Sequence, residues 1–265
     1  MTPEWLTVLN ARMGARQPCA LATVVAIEGS VSADPGAKAI FAPDGRLLAG
    51  WIGGGCAQAR TGELACEALL TGKSQLLALD LRDEILGTGM PCGGAMTIFI
   101  DPILPPPMLW LLGSGRLAEA LCMQAARVDF AVTVLDPRAE ASQFPAAWAV
   151  VNDDPAYAAL AGAAAGDYVV IATQHKGDHL ALRQVLTRPL AYVGLIASRH
   201  RARLVRGDLQ QSGLTPALWA KVHAPAGLDL GARTPEEIAL AVVAEMLALR
   251  RQRSARPRSI FEENP

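Results

Sequence analysis

The sequence predicts an α/β chain of two domains, a mixed α+β domain followed by a domain built on a parallel sheet. Short β-type segments with turns between them fill the first part of the chain, and apolar strands alternate with helical segments in the second. The segment Ile103-Leu104-Pro105-Pro106-Pro107 separates the two patterns. Because proline lacks a backbone donor and restricts the residue before it, we expect a linker there, with no helix or central strand.

The predicted boundaries follow from this separation. The 265 residues suffice for two modest domains, since one domain usually holds roughly 100–200 residues. The ranges are 1–102 for the first domain, 103–107 for the linker, 108–250 for the second domain and 251–265 for a flexible tail.

Hydrophobic spacing and turn residues predict the elements of the first domain. Apolar residues at helical spacing over 4–14 predict an opening helix, and small and β-branched residues over 19–27 predict a buried strand. Pro43-Asp44-Gly45 is typical of a hairpin turn. The other predicted elements are strands at 37–42 and 47–51, a helix at 56–70 and strands at 75–81 and 95–101.

Two glycine-rich segments of the first domain each carry a cysteine, Gly53-Gly54-Gly55-Cys56 and Met90-Pro91-Cys92-Gly93-Gly94. Glycine runs expose backbone N–H groups and permit φ > 0, which suits a main-chain grip on an anionic or planar ligand. The first run precedes a predicted helix and aims its N-terminal N–H groups at that place. A thiol in such a loop can be a metal ligand or a nucleophile. The alternative is a pair of tight turns whose cysteines are small core residues.

A dinucleotide-type motif opens the second domain. An apolar strand at 108–112 leads into Gly113-Ser114-Gly115-Arg116-Leu117-Ala118, a helix at 117–127 follows, and the strand at 131–135 ends in Asp136. This context predicts a Rossmann fold in which Gly113 and Gly115 admit a pyrophosphate and Asp136 binds a ribose hydroxyl. The alternative is a turn that only packs a strand on a helix. Arg138 either pairs with Asp136 or meets a phosphate.

Polar residues also follow the later strands, predicted at 168–173 and 191–196. Such residues lie at the carboxyl edge of a parallel sheet, where open α/β folds bind ligands. His175 is the candidate after the first strand, and Ser198 is expected to cap the helix that carries Arg199, where an anion would bind. Further helices are predicted near 178–187, over 199–212 and from the Thr234-Pro235-Glu236-Glu237 start signal.

Composition excludes several classes of protein. The 24 Lys and Arg against 25 Asp and Glu leave no basic excess for nucleic-acid binding. Five cysteines without a CxxC pair predict reduced thiols, with no disulfide framework or structural zinc site. No apolar run reaches the roughly 18–20 residues of a membrane span and no leader is evident, so a cytoplasmic protein is expected.

A series of motifs runs along nearly the whole chain, in the order CALATVVAIEGSVSADPGAK, IGGGC, GTGMPCGG, WLLGSGRLA, VLDPR, TQHKGDH, YVGLIASRHRARL and HAPAGLDLGARTPEEIA. Through these motifs the chain resembles the XdhC/CoxI family, the accessory proteins of molybdenum hydroxylases such as xanthine dehydrogenase. It departs from the family's usual pattern in having Ser32-Ala33-Asp34 where many relatives show an arginine, and Gln58 where a glutamate is common.

The resemblance implies a family-type first domain, a Rossmann domain and a maturation factor more than an enzyme. Such a chaperone binds and protects the molybdenum cofactor in its molybdopterin form, supports its sulfuration with a cysteine desulfurase and inserts it into an apo hydroxylase of the xanthine dehydrogenase class. Cys56 and Cys92 are the candidate molybdenum ligands. The candidate binding residues are Gly53, Gly54, Gly55, Cys56, Cys92, Gly93, Gly94, Gly113, Gly115, Asp136, His175, Ser198 and Arg199.

Two enzyme hypotheses remain as alternatives. One is an NAD(P)-dependent oxidoreductase that binds its dinucleotide at the Gly113 turn and uses His175 as acid–base group, although no catalytic pair at recognisable spacing accompanies it. The other is a molybdopterin nucleotide-handling enzyme, for which no carboxylate pair suited to two magnesium ions is evident. A homodimer is expected only because two-fold pairs are the commonest soluble oligomers.

Overall fold

A computed structural model describes residues 2–81, 94–174 and 177–256, and the chain divides into two compact units, Met1–Pro105 and Pro106–Pro265. The first unit contains α1 Glu4–Gly14, β1 Cys19–Gly29, β2 Lys38–Phe41, β3 Leu47–Gly50, α2 Gly55–Thr71, β4 Gln75–Asp80 and β5 Gly94–Ile103. The second contains β6 Met108–Leu112, α3 Arg116–Arg127, β7 Ala131–Leu135, β8 Ala149–Val151, β9 Tyr168–Ile171, α4 Asp178–Val185, β10 Tyr192–Leu195, α5 Arg199–Gln211, α6 Pro216–Trp219, β11 Val222–His223 and α7 Pro235–Arg250.

The first unit is an antiparallel sheet with strand order β3-β2-β1-β5-β4. Helix α2 packs one face on this sheet through small side chains, among them Ala57, Ala65 and Ala68, which bring it close to the apolar inner face. The helix runs unbroken through Gly62. A Cβ at this position would lie 2.4 Å from the carbonyl oxygen of Gly45 in the β2–β3 turn, so a larger residue does not fit there. A glycine that weakens the helix locally is therefore required by packing.

Strand β5 extends further than the sequence predicts. Ile103 is its last residue and pairs with Cys19 of β1, so the prediction that Ile103 lies outside the sheet is wrong. Pro102 is tolerated in this strand because the ladder with β4 ends at the pair Ile100–Gln75. Beyond that pair β5 has a neighbour on one side only, and such an edge accepts a residue without a donor.

The second unit confirms the predicted Rossmann architecture. Its six strands are all parallel in the order β11-β10-β9-β6-β7-β8. Helices α3 and α7 contribute to one core cluster with residues of the sheet, and α4 and α5 contribute to another. Because helices cover both faces of the sheet, the central strands are continuous apolar runs. The order reverses between β6 and β9, and the carboxyl ends of these strands form the crevice where such sheets hold ligands.

Two expectations from the sequence concern membrane spans and the C-terminal tail. Of the helices in the described ranges, none combines the length and the apolar character that a membrane span requires. The predicted tail begins after α7, and the structure describes it only as far as residue 256.

Candidate functional site

The first glycine run forms the turn that starts α2. Gly53 takes φ +120°, a conformation that suits glycine, directly after the buried Ile52. Gly54 is the N-cap of the helix, and no side chain of the described chain caps it. A Cβ placed at Gly54 or at Gly55 would meet nothing within 4 Å. The start of α2, whose first backbone N–H groups have no acceptor within the helix, therefore lies beside open space.

Cys56 lies in the first turn of α2 as a partly buried thiol, next to this open space. Three other side chains border the turn, since a Cβ at Gly53 would lie 3.5 Å from the Ala57 methyl carbon, 3.6 Å from the Ser32 hydroxyl oxygen and 3.8 Å from the methyl carbon of the buried Met96. The structure thus places the predicted residues Gly53 to Cys56 at the start of one helix. The polar groups at this place are backbone donors, a hydroxyl group and a thiol.

The second glycine–cysteine segment is only partly described. Cys92 and Gly93 lie outside the described residues. Gly94 opens β5 and is a packing position, because a Cβ there would lie 2.6 Å from the Glu28 carbonyl oxygen and 2.7 Å from that of Ser30. Within residues 2–81, 94–174 and 177–256, no cluster of three or more His, Cys, Asp or Glu is arranged to hold a metal ion.

The dinucleotide-type turn of the second unit requires glycine at its first position and brings its second glycine against the Gln174 side chain. Gly113 has φ +132°, and a Cβ there would lie 2.3 Å from the carbonyl oxygen of Ala172. Gly115 is the N-cap of α3, and a Cβ there would lie 2.7 Å from the Gln174 side-chain nitrogen. The loop after β9 therefore lies directly against the turn after β6, as the fold predicts. His175, predicted beside this turn, lies outside the described residues.

Asp136 lies at the end of β7 with only 3% of its surface exposed. Its Oδ1 accepts hydrogen bonds from the Arg138 backbone N at 2.8 Å and Nε at 3.1 Å, and its Oδ2 accepts from Nη2 at 3.0 Å. Of the two interpretations of Arg138, the structure shows the ion pair. The guanidinium group, about half exposed, covers the carboxylate that the dinucleotide fingerprint assigns to a ribose hydroxyl.

The same contacts determine how Asp136 titrates. Burial alone would raise its pKa, but the hydrogen bonds and charge of Arg138, with a hydrogen bond from Ser114, outweigh burial and lower the pKa. A lowered pKa means that the carboxylate stabilises the folded unit fully above the unfolded aspartate value of about 3.9. This stabilisation is lost as the pH falls through the folded-state pKa.

We therefore expect Asp136→Asn to destabilise the second unit at pH 7 and to approach the wild type in stability as the pH falls below about 3.9. Denaturant unfolding of both proteins across this pH range measures the difference. A difference that stays constant with pH would show that the Asp136 charge does not stabilise the fold.

Ser198 and Arg199 lie where the sequence places them, after β10. The Ser198 hydroxyl oxygen accepts a hydrogen bond from the Arg201 backbone N at 3.1 Å and caps α5. Arg199 is the first residue of this helix and borders a pocket of about 580 Å³. The predicted residues at Gly113, Asp136 and Ser198 thus all follow strands of one parallel sheet at its carboxyl edge.

A partly buried network around Glu245 was not predicted. Glu245 of α7 accepts hydrogen bonds from the Tyr192 hydroxyl at 2.6 Å, from the Gly227 backbone N at 2.8 Å and from His223 Nδ1 at 2.8 Å. Burial would raise the pKa of Glu245, but these three donors and the His223 charge lower it. Burial and the neighbouring carboxylate raise the pKa of Tyr192, which keeps its hydroxyl a donor. The sequence signal was a single acid in the otherwise apolar run 238–249.

Comparison with known proteins covers both units. The family model described as XdhC Rossmann domain matches residues 109–246, and the model described as XdhC and CoxI family matches residues 13–80. The chain is 32% identical over 239 residues to the uncharacterized protein YqeB of Escherichia coli (strain K12), covering 88% of the chain and 44% of YqeB. It is 33% identical over 161 residues to a probable xanthine dehydrogenase subunit from Bacillus subtilis (strain 168), covering 58% of the chain and 46% of that protein.

The chain thus spans less than half the length of either curated relative. A crystal structure of a xanthine dehydrogenase from Bacillus halodurans is similar in fold, with a TM-score of 0.50 and 24% identity. The similarity covers 97% of this chain and 98% of that one. At this level of identity, the comparison supports the fold alone.

Proposed function

This chain belongs to the XdhC and CoxI family, and from that premise we propose that it carries the molybdenum cofactor, in its molybdopterin form, during maturation of a xanthine dehydrogenase-type hydroxylase. In this role the protein protects the cofactor, presents it to a cysteine desulfurase for sulfuration and delivers it to the apo hydroxylase. The cofactor is cargo, and the chain acts by binding and release.

The open glycine turn with its thiol is the observation that carries this proposal. A Cβ at Gly54 or Gly55 would fill space that is empty in the structure, so a bulky ligand can approach the backbone there. The N–H groups at the start of α2 suit the cofactor's phosphate, because a helix N-terminus attracts anions. The Cys56 thiol in the same helical turn suits molybdenum, because soft thiolates bind such metals. Cys92 is the second candidate ligand on sequence grounds.

The proposed class of partner protein is taken from the name of a relative of this chain. The Bacillus subtilis protein that shares 33% identity with this chain is named as a probable xanthine dehydrogenase subunit. We extend the association with this class of hydroxylase to the present chain. The desulfurase partner is part of the proposal through the family resemblance alone, and the homodimer only because two-fold pairs are the commonest soluble oligomers.

The geometry gives the oxidoreductase alternative no specific support. An NAD-binding Rossmann domain offers a carboxylate at the end of its second strand to the ribose hydroxyls. Here both oxygens of that carboxylate, on Asp136, accept hydrogen bonds from Arg138. A bound nucleotide at the Gly113 turn would have to displace or reorganise this pair, so we propose a nucleotide there only as an accessory ligand.

Replacing Cys56 tests the thiol's part in this function. We expect Cys56→Ala, purified without oxygen from a molybdenum-replete host, to retain less than about a tenth of the wild-type molybdenum, since it loses a direct metal ligand. Molybdenum is measured by mass spectrometry and pterin by fluorescence after denaturation and oxidation. Cys92→Ala, measured in the same way, tests the second candidate.

Cys66→Ala is the matched control, because Cys66 is a partly buried thiol of the same helix, ten positions further along the chain. It should retain wild-type molybdenum. Full molybdenum occupancy of Cys56→Ala and Cys92→Ala would exclude both thiols as metal ligands. Equal losses in the Cys56 and Cys66 variants would point to damage of α2 and not to a lost ligand.

A further inference from the structure

The second unit contains a pocket bordered by the candidate residues Ser198 and Arg199, between the β10–α5 turn and the loop that follows β11. It has a volume of about 580 Å³ and is lined by residues 196–199 and 225–232 with Ile238 and Ala241. We propose that this pocket binds a planar heterocycle that carries a phosphomonoester, the chemistry of a nucleoside monophosphate. Its volume lies within the range of roughly 300–1,000 Å³ that is usual for small-molecule sites.

The floor of the pocket is apolar and made of small or branched aliphatic residues. Ile196, Ala226 and Ile238 line it and pack against the core of the unit, and Ala241 beside them is 3% exposed. Alanine side chains leave a broad shallow surface with no polar group to satisfy. A flat heterocycle would bury its face there without leaving a buried polar group of the protein unpaired.

One end of the pocket is cationic. The Arg199 guanidinium lies 3.9 Å from the Asp229 carboxylate, with the two side chains 82% and 90% exposed. Such an exposed pair is weak, so a phosphate dianion can replace the carboxylate as partner of Arg199. Ser198 accepts from the third amide of α5, and the amides before it have no acceptor within the helix. Arg199 and the start of α5 at Ser198 both line the pocket.

One wall of the pocket, the loop 225–232, is tied to the rest of the second unit by hydrogen bonds. The Gly227 backbone N donates to the partly buried Glu245 carboxylate at 2.8 Å, and the amides of Ala226 and Leu228 donate to Leu195 and Ala241 at 3.0 and 3.1 Å. Gly227 has φ +101°, which only glycine adopts readily. A wall fixed by the protein before the ligand arrives reduces the ordering cost of binding.

Two sources share this ligand chemistry. A free nucleotide and molybdopterin both join a flat heterocycle to a phosphomonoester. The site is argued from residues of the second unit alone, so it stands whether or not the glycine turn of the first unit holds the cofactor.

The test is a titration of the full-length protein with AMP by isothermal calorimetry, with adenosine as the probe that lacks the phosphate. We expect AMP to bind at least about tenfold more weakly to Arg199→Gln than to the wild type, because the variant loses a charge-assisted contact. Adenosine should bind both proteins equally. Arg203→Gln, one turn further along α5, should bind AMP within about twofold of the wild type.

A parallel measurement of retained pterin separates the two sources. If Arg199→Gln weakens AMP binding and leaves the retained pterin unchanged, the result supports the site with a free nucleotide as its ligand. Pterin that Arg199→Gln lowers supports the site with the cofactor as its ligand, even without AMP binding. The proposal fails if Arg199→Gln changes neither the AMP affinity nor the retained pterin. It also fails if Arg138→Gln weakens AMP binding and Arg199→Gln does not, since AMP would then bind at the Gly113 turn.

Discussion

Replacing Gly113 by alanine should lower the free energy of unfolding of the second unit by about 3 kcal/mol or more. Two costs combine at this position. The backbone has φ +132°, which an L-residue adopts only under strain, and the new Cβ would lie 2.3 Å from the Ala172 carbonyl oxygen. Neither the β6 turn nor the loop after β9 can move without breaking the sheet ladder, since the Ala172 amide donates to Leu112 at 2.7 Å.

Gly166→Ala is the control for this substitution. Gly166 belongs to the same unit and has φ +86°, but a Cβ there would meet nothing within 4 Å. It therefore carries the strain without the collision, and we expect a cost of about 1 kcal/mol. Guanidinium unfolding followed by circular dichroism measures both. Equal stabilities of the two variants would refute the close contact between Gly113 and Ala172.

Replacing Glu245 by glutamine should cost the second unit about 2 kcal/mol, because the charge-assisted hydrogen bonds of this partly buried carboxylate become neutral ones. The carboxylate, 17% exposed, accepts from three donors on three separate segments. An amide of the same shape offers one acceptor oxygen and brings donors of its own. Tyr192 and the Gly227 amide both donate to Oε2, whose place the amide oxygen can take, but the NH2 group then stands where Oε1 accepts from His223 Nδ1. The amide therefore loses the charge-assisted bond to His223 and requires its Nδ1 to act as an acceptor.

Tyr192→Phe is the matched control for Glu245→Gln, because it removes one of the three donors and keeps the ring. We expect a loss of about 1 kcal/mol for that variant. The double variant should lose less free energy of unfolding than the sum of the losses in the two single variants, since both substitutions act on one network. Purely additive losses, or a Glu245→Gln protein as stable as the wild type, would contradict a shared network.

Much of the fold could be predicted from the sequence because its signals are local. The helical spacing of apolar residues predicted α1 with its observed bounds, and the strand, glycine turn, helix and acidic strand end predicted the Rossmann unit. The short elements β8, α6 and β11, of two to four residues, carry too little pattern to be predicted. They form because neighbouring strands and helices already provide their partners.

The candidate site was predictable only where residues adjacent in the chain act together. Gly53 to Cys56 are consecutive, and the helix that follows them determines their arrangement. Glu245 could not be predicted in the same way, because its partners Tyr192, His223 and Gly227 lie 53, 22 and 18 positions away. Gly94 is the opposite case, because its glycine-rich motif predicted a ligand-binding residue. In the structure a glycine is needed there for close contact with the backbone of Glu28 and Ser30.

The cofactor content of the wild-type protein is the decisive test of the proposal that this chain carries the molybdenum cofactor. The protein is purified without oxygen from a molybdenum-replete host beside a known carrier, and released pterin and molybdenum are measured after denaturation. The carrier role predicts about one equivalent of each, since binding is to a single glycine turn. Neither pterin nor molybdenum, under conditions in which the known carrier is loaded, would contradict it.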